Sequence, residues 1–218
     1  MCRRVSPPDG ITREDTTDRR KGKRFAEFSA DEIEANFRTN PSDFEETRGY
    51  EALVGCILSR VAKKLNGEES RVGFMMRGSS DDITDIPEPT IHGLIQDRTL
   101  VEDDDADLWM RDSRGQSPIQ VTRLTDVRGT VGLPELLELI DKKCRVQKDE
   151  FLQLVALLDS NFDLDLEQLR NELEHRKCPY ASIYLIGQLG RTPRLGKFSC
   201  LQIYPFLTPE TRVILELQ

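Results

Sequence analysis

Between residues 134 and 187 the chain alternates helix with apolar strand, and this alternation restricts its topology more than any other feature. In PELLELIDKKCRV (134–146) a proline stands at a helix start, with apolar side chains at 136, 137, 139 and 140. The run FLQLVALLDSN (151–161) fits either a continued helix or a buried strand. We read 152–158 as strand, because Asp159-Ser160-Asn161 makes a turn and DLEQLRNELEHRK (165–177) then reads as a helix. ASIYLIG (181–187) and SCLQIYP (199–205) are further buried strands. Strand, helix, strand in that order needs a crossover, hence a parallel pair within a mixed sheet. The expected fold class is α/β: a mixed central sheet flanked by helices.

Upstream, GYEALVGCILSRVAKKL (49–65) carries Leu53, Val54, Ile57, Leu58, Val61 and Leu65 at helical spacing, and Asn66-Gly67 ends the run. RVGFMM (71–76) reads as a short strand, and 77–100 as an irregular connection rich in Asp, Pro and Gly. DDDADLWM (103–110) and IQVTRL (119–124) flank the turn-prone RDSRGQSP, which predicts a β-hairpin. Folding that hairpin about the Ser113–Arg114 peptide sets Asp107 opposite Gln120 and Asp105 opposite Thr122. Alternation then puts these four on one face and leaves Leu108, Met110, Ile119 and Val121 for a core. Cross-strand neighbours lie about 5 Å apart, close enough to share one divalent ion.

Charge divides the chain further. Residues 1–24 hold eight basic side chains against four acids and almost nothing apolar, which predicts a disordered basic arm. It reads equally as a nucleic-acid-contacting tail or a solubilising leader. Residues 25–48 form an acidic extension with a short helix, begun by the capping-box pair Ser29 and Glu32 and apolar at Ile33 and Phe37. The α/β domain is expected over 49–218. The net charge of −8 conceals ten acids and one arginine in 81–107, and a purely basic LGRTPRLGK at 189–197. A local basic strip therefore survives an acidic total.

No apolar run approaches a membrane span, and MCRRVSPPDG has no apolar core of a secretory signal. Cys2, Cys56, Cys144, Cys178 and Cys200 are odd in number and widely spaced, which speaks against structural zinc and a disulfide framework. They read as reduced, mostly buried thiols of a cytoplasmic protein. His92 and His175 have no Cys or acid at ligand spacing and read as surface residues. GTVG (129–132) lacks the lysine of a phosphate loop.

Glu51 in the first long helix, Asp107 at a strand start, and Gln120 on the next strand, in this order of elements, resemble the PD-(D/E)XK superfamily of restriction-endonuclease-like nucleases. The hairpin DADLWMRDSRGQSPIQVTRL looks most like the Mrr-type branch, in which Gln replaces the usual acid. The resemblance spans about residues 49–205. It implies a restriction-endonuclease-like core and metal-dependent hydrolysis of DNA phosphodiesters. It also implies a Mg²⁺ or Mn²⁺ site drawn from Asp107, Gln120 and Glu51, with Asp105 on the same hairpin face. Thr122 stands where the family carries lysine, and threonine supplies no cation. Either Lys142 or Lys143 on the following helix replaces it, or Arg123 clamps the phosphate, or catalysis is lost and the fold binds nucleic acid or protein. An unrelated scaffold with an accidental likeness is a further alternative. Arg123, Arg191, Arg194 and Lys197 are the candidate phosphate contacts. The expected partners are DNA, and a second copy or another protein, with no membrane.

Overall fold

In the computed structural model, which describes residues 23–79, 90–96, 106–124, 132–146, 152–158, 164–176, 178–189, 195–205 and 212–217, eight strands pair strictly in chain order. They are β1 (Lys23–Phe28), β2 (Arg71–Ser79), β3 (Leu108–Asp112), β4 (Gly115–Leu124), β5 (Gln153–Leu158), β6 (Ser182–Gln188), β7 (Lys197–Tyr204) and β8 (Val213–Glu216). β1 through β4 are antiparallel, as are β6 through β8. Between these two meanders, β4, β5 and β6 run parallel. The expected crossover is present, α5 (Leu166–Glu174) linking β5 to β6, and a second one that was not expected, α4 (Leu133–Val146), links β4 to β5. The ambiguous run at 152–158 is strand, its side chains buried on both faces as a central parallel strand requires.

Three more helices precede these in the chain: α1 (Ala30–Thr39), α2 (Thr47–Asn66) and α3 (Ile91–Gln96), with a 3₁₀ turn at Pro41–Glu45. Helix α1 starts at the expected capping box, Ser29 Oγ accepting from the Glu32 N–H while the Glu32 carboxylate accepts from the Ser29 N–H. Ile33 and Phe37 face inward, and Phe37 stacks on Phe44 at 4.0 Å between ring centroids. Helix α2 follows its apolar period and stops at Gly67, whose φ of 75° only glycine adopts at little cost. Leu65 shares that period but is exposed in the last turn. At Gly55 a Cβ would stand 2.4 Å from Val72 Cγ1, so the missing side chain lets α2 settle onto β2.

The alternation of side chains splits the core in two. Leu108, Met110, Ile119, Val121, Val155 and Ile186 join α1, α2 and α3 on one face. Trp109, Leu154, Ala156, Leu158, Ile183 and Leu185 join α4 and α5 on the other. The protein is thus a mixed, mostly antiparallel sheet between two helical layers. No helix among the described residues is long and apolar enough to cross a membrane.

Both edge strands escaped the sequence reading. KRFAEF (23–28) alternates only weakly, yet it pairs with β2 along its whole length, and Lys23 and Arg24, assigned above to the basic arm, begin it. The other arm residues lie outside the described set. VILE (213–216) is a four-residue edge strand on β7. Helix α5 ends at Glu174, three residues short of the expected end: Leu173 O already accepts from the Arg176 N–H, which closes the helix with a tighter turn.

Candidate functional site

The hairpin forms in the expected register, Leu108 facing Ile119 and Trp109 facing Pro118, with Gly115 closing the turn at a φ of 125°. The Glu68 carboxylate holds the turn from outside, accepting from the Ser113 N–H at 2.6 Å and its hydroxyl at 2.9 Å. At the open end, the Asp107 N–H donates to Ile119 O at 2.9 Å and Asp107 Oδ2 accepts from the Val121 N–H at 2.7 Å. The carboxylate therefore extends the ladder by one rung with a side chain in place of a carbonyl. That bond fixes Asp107 at the point where β3 begins, next to Gln120.

Gln120 is held from the second layer. The Tyr180 hydroxyl donates to Gln120 Oε1 at 2.5 Å. Tyr180 is almost fully buried, and burial first, then the neighbouring Cys144, Cys178 and Asp107 charges, raise its pKa. A phenol kept protonated in this way stays a donor. The amide oxygen keeps a second lone pair beyond that bond, which is the donor a cation would use.

The first layer contributes Tyr50, Glu51 and Arg48 from the start of α2. Glu51 is buried and lies 2.6 Å from Arg48 Nη1, one helical turn earlier. The Tyr50 phenol is also shifted upward, by burial and then by the charges of Glu51 and Asp107, against the pull of Arg123. The Arg123 guanidinium sits 5.6 Å from the centroid of the Tyr50 ring, a cation–π distance. Tyr50 thus marks a place where Glu51, Asp107 and Arg123 act on one hydroxyl. Arg123 points to the α2 side, as alternation required, while Thr122 is buried on the α4 side.

Other candidates fall elsewhere or outside the described residues. Lys142 is exposed in a depression shared with Glu138, Asp141, Arg145 and Arg176. Lys143 is half-buried in the last turn of α4. Lys197 is exposed at the start of β7, 3.9 Å from the Glu216 carboxylate. Asp105, Arg191 and Arg194 lie outside the described residues.

The oxygens of Asp107, Gln120 and Glu51 are hard donors that suit Mg²⁺ or Mn²⁺ in kind. Each already has a protein partner, however: a backbone N–H, a phenol and a guanidinium. Among the described residues no group of three or more His, Cys, Asp or Glu side chains is placed to hold a metal. A cation there would have to compete with those three partners.

Several contacts had no counterpart in the sequence reading. His92 is exposed, as expected, but its Nδ1 lies 3.1 Å from both oxygens of the fully buried Asp43, which also accepts from Asn36 and Gln96. The partner is 49 residues away, so no local spacing signals it. Tyr180 reaches Gln120 across 60 residues, equally without a local cue. Arg48 and Glu51 were legible as an i,i+3 pair. Cys144 and Cys178, far apart in the chain, meet at 3.1 Å between sulfurs.

No family model, curated protein or solved structure matches the chain.

Proposed function

We propose that the protein is a restriction-endonuclease-like domain that hydrolyses DNA phosphodiesters with a divalent cation held by Asp107 and Gln120. The observation that carries this reading is the open end of the β3–β4 hairpin. There a backbone-anchored carboxylate and a phenol-anchored amide stand side by side, with the Glu51 end of α2 acting on the same neighbourhood. The chain order supports it as well: apart from β1, α1 and the short α3, it runs helix, strand, hairpin, helix, strand, helix, strand, the order on which the PD-(D/E)XK resemblance rests. When bound, a divalent cation supplies an acidified water and charge stabilisation at the leaving oxygen. Asp107 offers it a carboxylate, Gln120 a neutral oxygen, and Glu51 a third oxygen once released from Arg48. Arg123, stacked on Tyr50, is placed to hold a phosphate as a charge clamp and is too basic to accept a proton. Lys142 and Lys143, both on α4, are the candidate stand-ins for the lysine missing at 122.

A second reading has its own support. The Arg48–Glu51 pair, the Tyr180–Gln120 bond and the Val121 N–H on Asp107 satisfy all three donors without any cation, as in a domain that keeps the fold and binds nucleic acid or protein without cutting. Cleavage of plasmid and single-stranded DNA with Mn²⁺, with and without chelator, separates the two. The nuclease reading expects chelator-sensitive cleavage that falls to background in Asp107→Ala. DNA binding without cleavage in either metal establishes the second reading, and cleavage unchanged by Asp107→Ala overturns the assignment of the site.

A further inference from the structure

Four cysteines lie among the described residues, and they divide sharply. Cys56 and Cys200 are buried, and burial pushes both thiols up, Cys200 to about 12. Neither forms a thiolate near neutral pH. Cys144, in the last turn of α4, and Cys178, between α5 and β6, are half-exposed, with their sulfurs 3.1 Å apart. Cys144 opens onto a surface cavity of about 520 Å³ that it shares with Asp141, Arg145, His175 and Arg176.

We propose that Cys144 and Cys178 are a reversible disulfide pair, closed by exchange with a small-molecule disulfide of the glutathione class, which staples α4 to the lead-in of β6.

The geometry supplies what such a pair needs. A bonded S–S distance is about 2.05 Å, so closure asks for a shift of roughly one ångström that side-chain rotation can deliver. The two thiols are not equivalent. Cys178 is held down, to about 7, chiefly by the hydrogen bond from Cys144 and also by one from the Tyr180 N–H, against burial and the Asp141 charge. Cys144 is held up by that same bond, then by burial and by the charges of Cys178 and Asp141, with Arg176 opposing. Cys178 is therefore the thiolate near neutral pH and the attacking group.

The chemistry balances in two exchanges. The Cys178 thiolate attacks one sulfur of the small disulfide, forming a mixed disulfide and expelling one small thiolate. Cys144 then loses its proton to that thiolate and attacks the Cys178 sulfur, expelling the second small thiolate, which takes a proton from water. Two protein thiols are oxidised to one disulfide, and the small disulfide is reduced to two thiols. Reversal needs only an excess of the small thiol. The bond would enclose β5 and α5 within a covalent loop, and through Tyr180 it abuts the residue that holds Gln120.

The pair does not depend on the nuclease reading, and its test uses no activity. The reduced full-length chain is incubated with oxidised glutathione near neutral pH, alkylated, digested without reductant and mapped by mass. The expected product is a 144–178 cross-link lighter by two hydrogens, lost on adding excess reduced glutathione, with a melting temperature above that of the reduced chain. The Cys144→Ser variant should hold glutathione on Cys178 as a lasting mixed disulfide. The Cys178→Ser variant should form no cross-link at Cys144, and any glutathione it takes up there should stay as a mixed disulfide. A wild-type chain that stays unmodified, that keeps glutathione on Cys178 without cross-linking, or that joins either cysteine to a different one overturns the proposal. The wild-type measurement decides the matter even if a variant fails to fold.

Discussion

On one face of the sheet, α1, the 3₁₀ turn and α2 each bury an acid, Glu34, Asp43 and Glu51, against named donors: Arg60, the Asn36–His92–Gln96 set, and Arg48. On the other face, α4 and α5 cover the sheet with Leu136, Leu137, Ile140, Leu169 and Leu173, and none of the buried acids lies there. The first layer adds directional bonds, and glycines that admit close backbone approach, to its own apolar packing of Ile33, Phe37, Val54 and Ile57. The second is held by non-directional aliphatic packing, which specifies burial but tolerates small shifts. In line with this difference, the Arg48–Glu51 pair of the candidate site comes from α2, while the pair of thiols lies on α4 and the lead-in to β6. The hairpin end stands where the two meet, Asp107 and Arg123 acting on Tyr50 from the first layer and Gln120 bonded to Tyr180 from the second.

Substitutions can break the contrast, beginning with the largest effect. Gly49→Ala places a Cβ 1.6 Å from Asp43 O, backbone that cannot move without unseating the 3₁₀ turn. It should cost about 4 kcal/mol or more, read by urea unfolding. A mild effect would mean that the start of α2 is not tightly specified. Leu154→Ala empties a fully buried position of the second layer and should cost about 2–5 kcal/mol. If that layer is the more adaptable one, its cost belongs in the lower half of the range, because the leucines around it can close in. Asp43→Ala removes the acceptor of three side chains and should cost about 1–3 kcal/mol. The loss should appear as faster hydrogen exchange in α3, which carries His92 and Gln96. No change there would show that the Asp43 network does not anchor that helix.

The smallest effect tests a single cap. Ser29→Ala should cost about 1 kcal/mol. Bonds from Ser29 hold the Glu32 carboxyl below its ordinary 4.5. A depressed carboxyl stabilises the fold in full above that ordinary value and loses the contribution as pH falls through the depressed one. Part of the Ser29→Ala penalty should therefore disappear in acid. A penalty constant from neutral pH to pH 3 would detach it from Glu32 ionisation.

Much of this was written locally. The turn at Ser113–Arg114, the alternation of Leu108, Met110, Ile119 and Val121, the Ser29–Glu32 cap and the strand at 152–158 all follow from periodicity and turn chemistry acting over a few residues. β1 and β8 were missed for the converse reason. Edge strands bury one side at most and pair with one neighbour, so their sequences carry little pattern. At the site, the facing of Asp107 and Gln120 was legible because a hairpin register is local. The phenol that holds Gln120 was not.

The sequence by itself therefore determined most elements between α2 and β7, the hairpin register, the need for a parallel crossover, and the absence of a lysine at 122. The tertiary structure alone decided that Tyr180 meets Gln120, that His92 meets Asp43, and that Cys144 meets Cys178. Local preferences reach only a turn of helix or a tight hairpin. Which side chains meet across 34 to 60 residues depends on how the whole sheet orders its strands and which face each helix crosses.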